Sequence, residues 1–300
     1  MRGQKGVVMI LVLWVLAFLT MIAGFYAAQS RIRRNLGQEA WDALDARYLV
    51  HSLLLLASTR LAAPDMKPDE AWDKGMFITD GTVYTVDIDG KEVTFSLEDE
   101  HGKLDLNNAT EAQLKEVLSG LLGKGTTTDE IVDGILDWRD ADNIPRENGA
   151  EDEVYLAKNP PYLPANGPFH TLEELLLVNG VTQGLFYGPI AYDFKDAGVN
   201  MEWRGGLRDI FTVYNKAGTV IKDYAPPPLK QLANASGAGG LPLSHEVVCL
   251  KTRIGGMSYW IYWQTVQGTN KFKIVHWVET AAGGGEEGDE LPEIQEKTND

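Results

Sequence analysis

The sequence predicts an α+β protein: a long N-terminal helix packed on an antiparallel sheet, with a large all-α segment inserted between the strands. Three observations carry that expectation. No proline interrupts the chain before Pro64. Hairpin chemistry appears at 82–95 and strand patterns return at 246–279, while the stretch between, 99–192, carries helix caps and helical spacing.

The N-terminal helix comes first. Val7 to Ala28 holds no charged residue. At about 1.5 Å per residue it reaches roughly 33 Å, enough for a hydrocarbon core of ~30 Å. A cleaved secretory signal has a shorter apolar core, of about 7–15 residues, before a small-x-small site. Phe25-Tyr26-Ala27-Ala28-Gln29-Ser30 offers no such site, so a retained membrane helix over 7–28 is expected. Arg2 and Lys5 on one flank face Arg31, Arg33 and Arg34 on the other, and the positive-inside rule does not orient it. Beyond lipid, Ile32, Leu36, Ala40, Leu44, Tyr48, His51 and Leu55 recur at spacings of three and four. That spacing predicts one continuous helix over 7–63, its second half amphipathic and packed on a soluble domain, stopped by Pro64.

Residues 82–86 and 91–95 flank Asp89-Gly90, a strong hairpin signal. Asn107, Asn108 or Thr110 then caps a helix through Leu114 and Leu121, and Thr128 caps a second with Ile131, Ile135 and Trp138 on one face. Thr171 with Glu174 three positions on opens a third that runs to Asn179-Gly180. After a glycine- and proline-rich connection from Ala225 to Gly240, strands are expected at 246–254, 257–267 and 271–279. Trp260, Tyr262 and Trp277 are expected to pack on the long helix rather than to form a sugar platform, and Cys249 to be a small buried residue. The resulting division is 64–98 and 193–280 for the sheet, 99–192 for the insertion, and 281–300 for a disordered acidic tail.

Composition excludes several functions. The net charge is −16; the stretch from Met1 to Arg34 contributes +5, leaving −21 for the remainder. So acidic a surface disfavours nucleic acid. Lys103–Thr110 resembles the opening of helix-hairpin-helix modules, but the hairpin at 120–125 lies in acidic surroundings, so these helices read as scaffold. One cysteine excludes a disulfide framework or a multi-cysteine metal site, and no HExxH pair is present. No P-loop, Rossmann fingerprint or nucleophile elbow occurs. Glu151 and Asp152 have the makings of a glycosidase dyad, yet they sit in a charge-dense loop with no apolar pocket implied, and no catalysis is expected.

Asp140, Asp142, Glu147, Glu151, Asp152 and Glu153 crowd into the single stretch 140–153. Such carboxylates repel unless solvated or neutralised, and calcium, which takes six to eight oxygens, is the natural cation. As an EF-hand loop begun at Asp140, the stretch would place Ile144 at position 5 and Pro145 where glycine belongs, so it is a cation loop of another kind. The alternative is a solvated acidic loop, with Asp137 and Arg139 in weak surface pairs.

The leader Met1-Arg2-Gly3-Gln4-Lys5-Gly6, the apolar helix and its amphipathic continuation together resemble type IV prepilin-like proteins. That resemblance implies cleavage by a prepilin peptidase between Gly6 and Val7, on the cytoplasmic side. It also implies a pilin-like fold. Leu11 stands where most members carry glutamate, which suits a subunit at a filament tip with no neighbour ahead. The ordered motifs Asp137-Trp138-Arg139-Asp140-Ala141-Asp142, Gly149-Ala150-Glu151-Asp152, Pro161-Tyr162-x-Pro164-Ala165-Asn166-x-Pro168-Phe169 and Leu172-Glu173-Glu174-Leu175 are similar to the K-type minor pseudopilins of type II secretion systems (general secretion pathway protein K). The resemblance spans about residues 1–280 and implies a SAM-like or helix-hairpin-helix-like insertion holding calcium through Asp140, Asp142, Glu151 and Asp152 with backbone carbonyls. It further implies a single-pass inner-membrane protein with a periplasmic domain. Its helix and sheet would bind the I- and J-type minor pseudopilins, alongside the inner-membrane secretion platform. The implied function is to cap the pseudopilus tip and help start assembly for export of folded proteins. The rival readings are a membrane-anchored envelope enzyme or sugar-binding protein, and a competence-type DNA-uptake protein.

Overall fold

A computed structural model of the chain describes residues 4–193, 202–232, 245–265 and 272–281, in two compact units, 1–52 and 53–300. The expected leader residues 1–3, the loop at 268–270, the glycine pair at 239–240 and the tail from 282 lie outside the described residues.

Helix α1 runs Gln4–Thr59, 56 residues without a break. Its portion from Met9 is long and apolar enough to cross a membrane. Everything from Met9 to Asp45 is exposed, and burial begins at Ala46, Leu49 and Val50. Further on, in the second unit, Leu53, Leu54 and Ala57 are fully buried. The face predicted to be buried is the other one. Ile32, Leu36, Leu44, Tyr48 and Leu55 are all exposed, with Trp41 beside them at 71%. The helix carries two apolar stripes, and spacing alone does not say which one is buried. The helix also ends four residues short of Ala63. There Phe77 donates its N–H to the Arg60 carbonyl at 2.7 Å and Ala62 donates to the Phe77 carbonyl at 2.8 Å, replacing helical bonds with a short ladder.

In the second unit the main sheet has five strands in the order β1 (Asp80–Ile88), β2 (Lys91–Asp99), β3 (Val248–Ile254), β4 (Met257–Thr265) and β5 (Phe272–Ala281), all antiparallel. Asp89 and Gly90 join β1 to β2 with φ of 53° and 78°, the left-handed pair of a primed turn. The helical segment leaves after β2 and the chain returns at β3, where Leu97 pairs with Leu250.

That segment contains α2 (Glu111–Leu122), α3 (Thr126–Arg139) and α4 (Asp152–Leu156), a 3-10 turn at Leu172–Leu177 and a short helix at Gln183–Tyr187. Thr110 caps α2 in a reciprocal box: Gln113 N–H donates to its hydroxyl at 3.3 Å, and its own N–H donates to the Gln113 amide oxygen at 2.9 Å. Thr128 does not cap α3, which starts two residues earlier; its hydroxyl donates to the Gly123 carbonyl at 2.7 Å. Leu114, Leu118, Ile131, Ile135, Tyr155 and Leu175 form one buried core. Leu207, Ile210, Phe211 and Leu229 join it, so residues from a stretch expected with the sheet pack with the helices instead. The connection expected after Ala225 contains a helical turn at Pro227–Leu232.

The aromatic strand residues also divide differently. Trp260 pairs with Val278 and Tyr262 with His276, whereas Trp277 pairs with Ile261 and shares the opposite face with Phe95, Leu97 and Trp263. Trp260 and Tyr262 face the helical segment rather than α1. The Arg208 guanidinium lies 3.5 Å over the Trp260 ring, and Tyr214 lies 5.0 Å from Tyr262. Beside them Lys103 bridges Glu98 and Glu100, and Lys251 bridges Glu98 and Asp209. Cys249 is buried there, its thiol pushed up to about 12 by burial.

Candidate metal centre

The acidic loop is hung between two rigid supports. Helix α3 brings in Asp133, Asp137 and Trp138, all buried, because its apolar face is anchored in the helical core. Trp138 meets Tyr155 edge-on at 5.5 Å and stacks on Phe169 at 6.1 Å, tying α3, α4 and the Phe169 loop together. Phe169 is fixed in turn by Asn107, which accepts its N–H at 2.7 Å and donates to its carbonyl at 3.0 Å. Arg139 does not pair with Asp137. Its guanidinium donates to the Leu106 and Ala109 carbonyls, locking the end of α3 to the segment before α2.

From Asp140 the chain turns out and back to α4. Asp142 Oδ1 accepts the Ile144 N–H at 3.0 Å, an Asx turn that folds the loop over. Carboxylate oxygens of Asp140, Asp142 and Glu151 then lie within 4.8 Å of one another. Asp152, the fourth candidate ligand, is not in that group; its N–H donates to Asn143 Oδ1 at 3.2 Å.

Glu151 decides the chemistry. It is 4% exposed, and among the described residues no hydrogen-bond donor reaches either of its carboxylate oxygens. Burial, followed by the charges of Asp137, Asp140, Asp142 and Asp152, pushes its carboxyl up to about 7. One oxygen of Asp140 is likewise buried without a partner among the described residues. A buried carboxylate facing only carboxylates is costly unless a proton or a cation joins it. The donor set is all oxygen, which suits a hard cation such as calcium, and the residues present fit it.

Asp137 reads in the sequence as a surface acid, and it is none. It is wholly buried, its Oδ2 accepting the Arg146 N–H at 3.1 Å while Arg146 Nε stands 3.4 Å from Oδ1. The signal available is its place four residues after Asp133 on one helix.

Residues 95–187, which include this centre, match the family model described as type II secretion system (T2SS), protein K. Through that stretch, the chain is similar to the protein K family of type II secretion systems. Type II secretion system protein K of Pseudomonas aeruginosa is 32% identical over 198 residues, 59% of this chain and 58% of that one. The protein K of Pectobacterium carotovorum is 29% identical over 206 residues, 63% of this chain and 62% of its own. The chain thus spans about three fifths of the length of these protein K relatives. A solved chain of the GspK-GspI-GspJ complex from enterotoxigenic Escherichia coli is a looser likeness, at 14% identity and a TM-score of 0.49 over 84% of this chain and 99% of that one.

Proposed function

We propose that this protein is a minor pseudopilin of type II secretion, a non-catalytic assembly subunit that caps the tip of the periplasmic pseudopilus and helps start its growth for export of folded proteins. The observation that carries this reading is one chain combining a protein K domain at 95–187 with an uninterrupted helix whose N-terminal half is bare apolar surface. Helix α1 anchors it in the bacterial inner membrane in a single pass, with the second unit in the periplasm. Prepilin peptidase cuts between Gly6 and Val7, and the inner-membrane platform receives the product. The net charge of −16 argues against a nucleic-acid role.

The exposed stripe Ile32, Leu36, Leu44 and Leu55 supplies the surface for partner helices, those of the I- and J-type minor pseudopilins. Its spacings follow the three-and-four rhythm by which helices pack side by side.

Asp140, Asp142 and Glu151, with backbone carbonyls, hold calcium in the helical segment. The ion supplies positive charge that lets three carboxylates share one loop. Asp142 folds that loop through its bond to Ile144, and Glu151 ties its end to α4. Mass spectrometry of the membrane-extracted protein tests the assignment. A chain beginning at Val7 is expected; an intact Met1, or a cut near Ala28, overturns it.

A further inference from the structure

The acids that shape the loop lie outside the trio whose oxygens come within 4.8 Å of one another. Asp133 and Asp137 lie one turn apart on α3, so their side chains leave the same face. Asp133 Oδ2 accepts the Asn148 backbone N–H at 3.1 Å and its side-chain amide at 3.0 Å. Asp137 accepts the Arg146 N–H at 3.1 Å. Two carboxylates therefore take up the backbone donors at 146 and 148, just ahead of Glu151.

Gly149 completes the device. A Cβ there would stand 1.8 Å from Asp137 Oδ2 and 3.1 Å from the Arg146 nitrogen, so any other residue pushes the loop off the carboxylate. Asp133 and Asp137 are absent from the group whose oxygens approach one another.

We infer that Asp133 and Asp137 are positioning residues for the cation site, with Gly149 providing the clearance they need. They act through the loop backbone, presetting Glu151 against Asp140 and Asp142 before any ion arrives. This inference rests on the reading of that trio as a calcium site. Preset ligands bind more tightly because less ordering remains to be done on binding.

The test uses the full chain in detergent, calcium alone as the probe, titration calorimetry, and amide hydrogen exchange of the metal-free protein. Near-UV circular dichroism establishes that each variant is folded at the temperature of titration. Substitutions of supporting groups around metal sites typically lower affinity about 10–100-fold, and Asp133→Ala and Gly149→Ala are expected in that range. Asp133→Asn keeps one acceptor oxygen and is expected to lose less than about tenfold. The amides of Arg146 and Asn148 are expected to be protected without calcium, and that of Asn148 exposed in Asp133→Ala. Wild-type affinity in Asp133→Ala and Gly149→Ala, or fast exchange of those amides in the wild type, overturns the positioning role alone. A wild type that ignores calcium while its amides stay protected overturns the calcium reading, and the role with it.

Discussion

Glu151 and Asp140 bring carboxylate oxygens within 4.8 Å of each other, and among the described residues no donor reaches either oxygen of Glu151. Burial of Glu151, followed by the charges of Asp137, Asp140, Asp142 and Asp152, sets a pH dependence whose sign is fixed. An acid raised in the folded state stabilises fully below its unfolded value, near 4.5, and loses that contribution as pH rises through about 7. A tenfold change in proton affinity is worth about 1.4 kcal/mol, so roughly 3 kcal/mol is at stake in the metal-free protein. Urea unfolding in chelator is expected to show Glu151→Gln matching wild type near pH 4.5 and exceeding it by about 3 kcal/mol at pH 8. The same substitution abolishes the thermal shift on adding calcium. A stability gap that does not vary with pH contradicts this.

Asp99 is wholly buried and accepts Nδ1 of His101 at 2.7 Å and Nδ1 of His245, whose Nε2 bonds the Ala62 carbonyl at 3.0 Å. Burial raises the Asp99 carboxyl, but these two hydrogen bonds outweigh it and hold it below its usual range. His101 is raised, chiefly by its bond to Asp99. The Asp99 contribution is present above about pH 3.8 and fades as pH falls below it, and the His101 contribution is present below about pH 6.5 and fades as pH rises. Asp99→Asn is expected to cost about 3 kcal/mol near pH 5.5, with a smaller loss at pH 8.5. Equal losses at both values, by urea unfolding, would count against the cluster as a charged unit.

Arg208 is buried, and none of its guanidinium nitrogens has a hydrogen-bond partner among the described residues; the rings of Trp260, Tyr187 and Phe186 are its surroundings. Stacking on those rings compensates its burial. Trp260→Ala is expected to destabilise by about 3 kcal/mol, through lost packing and a cation left without its ring. Arg208→Met fills the same slot without a charge and is expected to be neutral or stabilising. If Arg208→Met proves the more damaging of the two in thermal melts, the guanidinium has a partner beyond those rings.

Local chemistry is readable where the sequence controls it locally. The Asp89-Gly90 turn, the Thr110 cap and the unbroken α1 follow from backbone preferences of a few neighbouring residues. Three of the four candidate ligands also come together, since the loop that carries them is short. What escapes depends on distant partners. Burial of Asp137 follows from Arg146, Gly149 and Ala150 folding back over α3, and the facing of Trp260 from Arg208, far away in the chain. The buried face of α1 within the second unit is another such case, since Leu53, Leu54 and Ala57 carry no stronger periodic signal than the exposed Leu55.

That uncovered face makes a separable prediction. Leu44→Glu places a charge on a residue already 60% exposed, so the melting temperature is expected to stay within about 2 °C of wild type. Partner binding is expected to fall at least tenfold, because a buried unpaired carboxylate at an interface costs upwards of about 1.4 kcal/mol. Unchanged binding would place the partner surface elsewhere on the chain.

Co-expression shows whether this chain assembles with other minor pseudopilins. The chain is produced together with I- and J-type minor pseudopilins, extracted in detergent and sized by gel filtration with light scattering. One complex containing all three chains is the predicted result, lost with Leu44→Glu. Elution of this chain alone, with the other two pairing without it, would contradict a role in assembly.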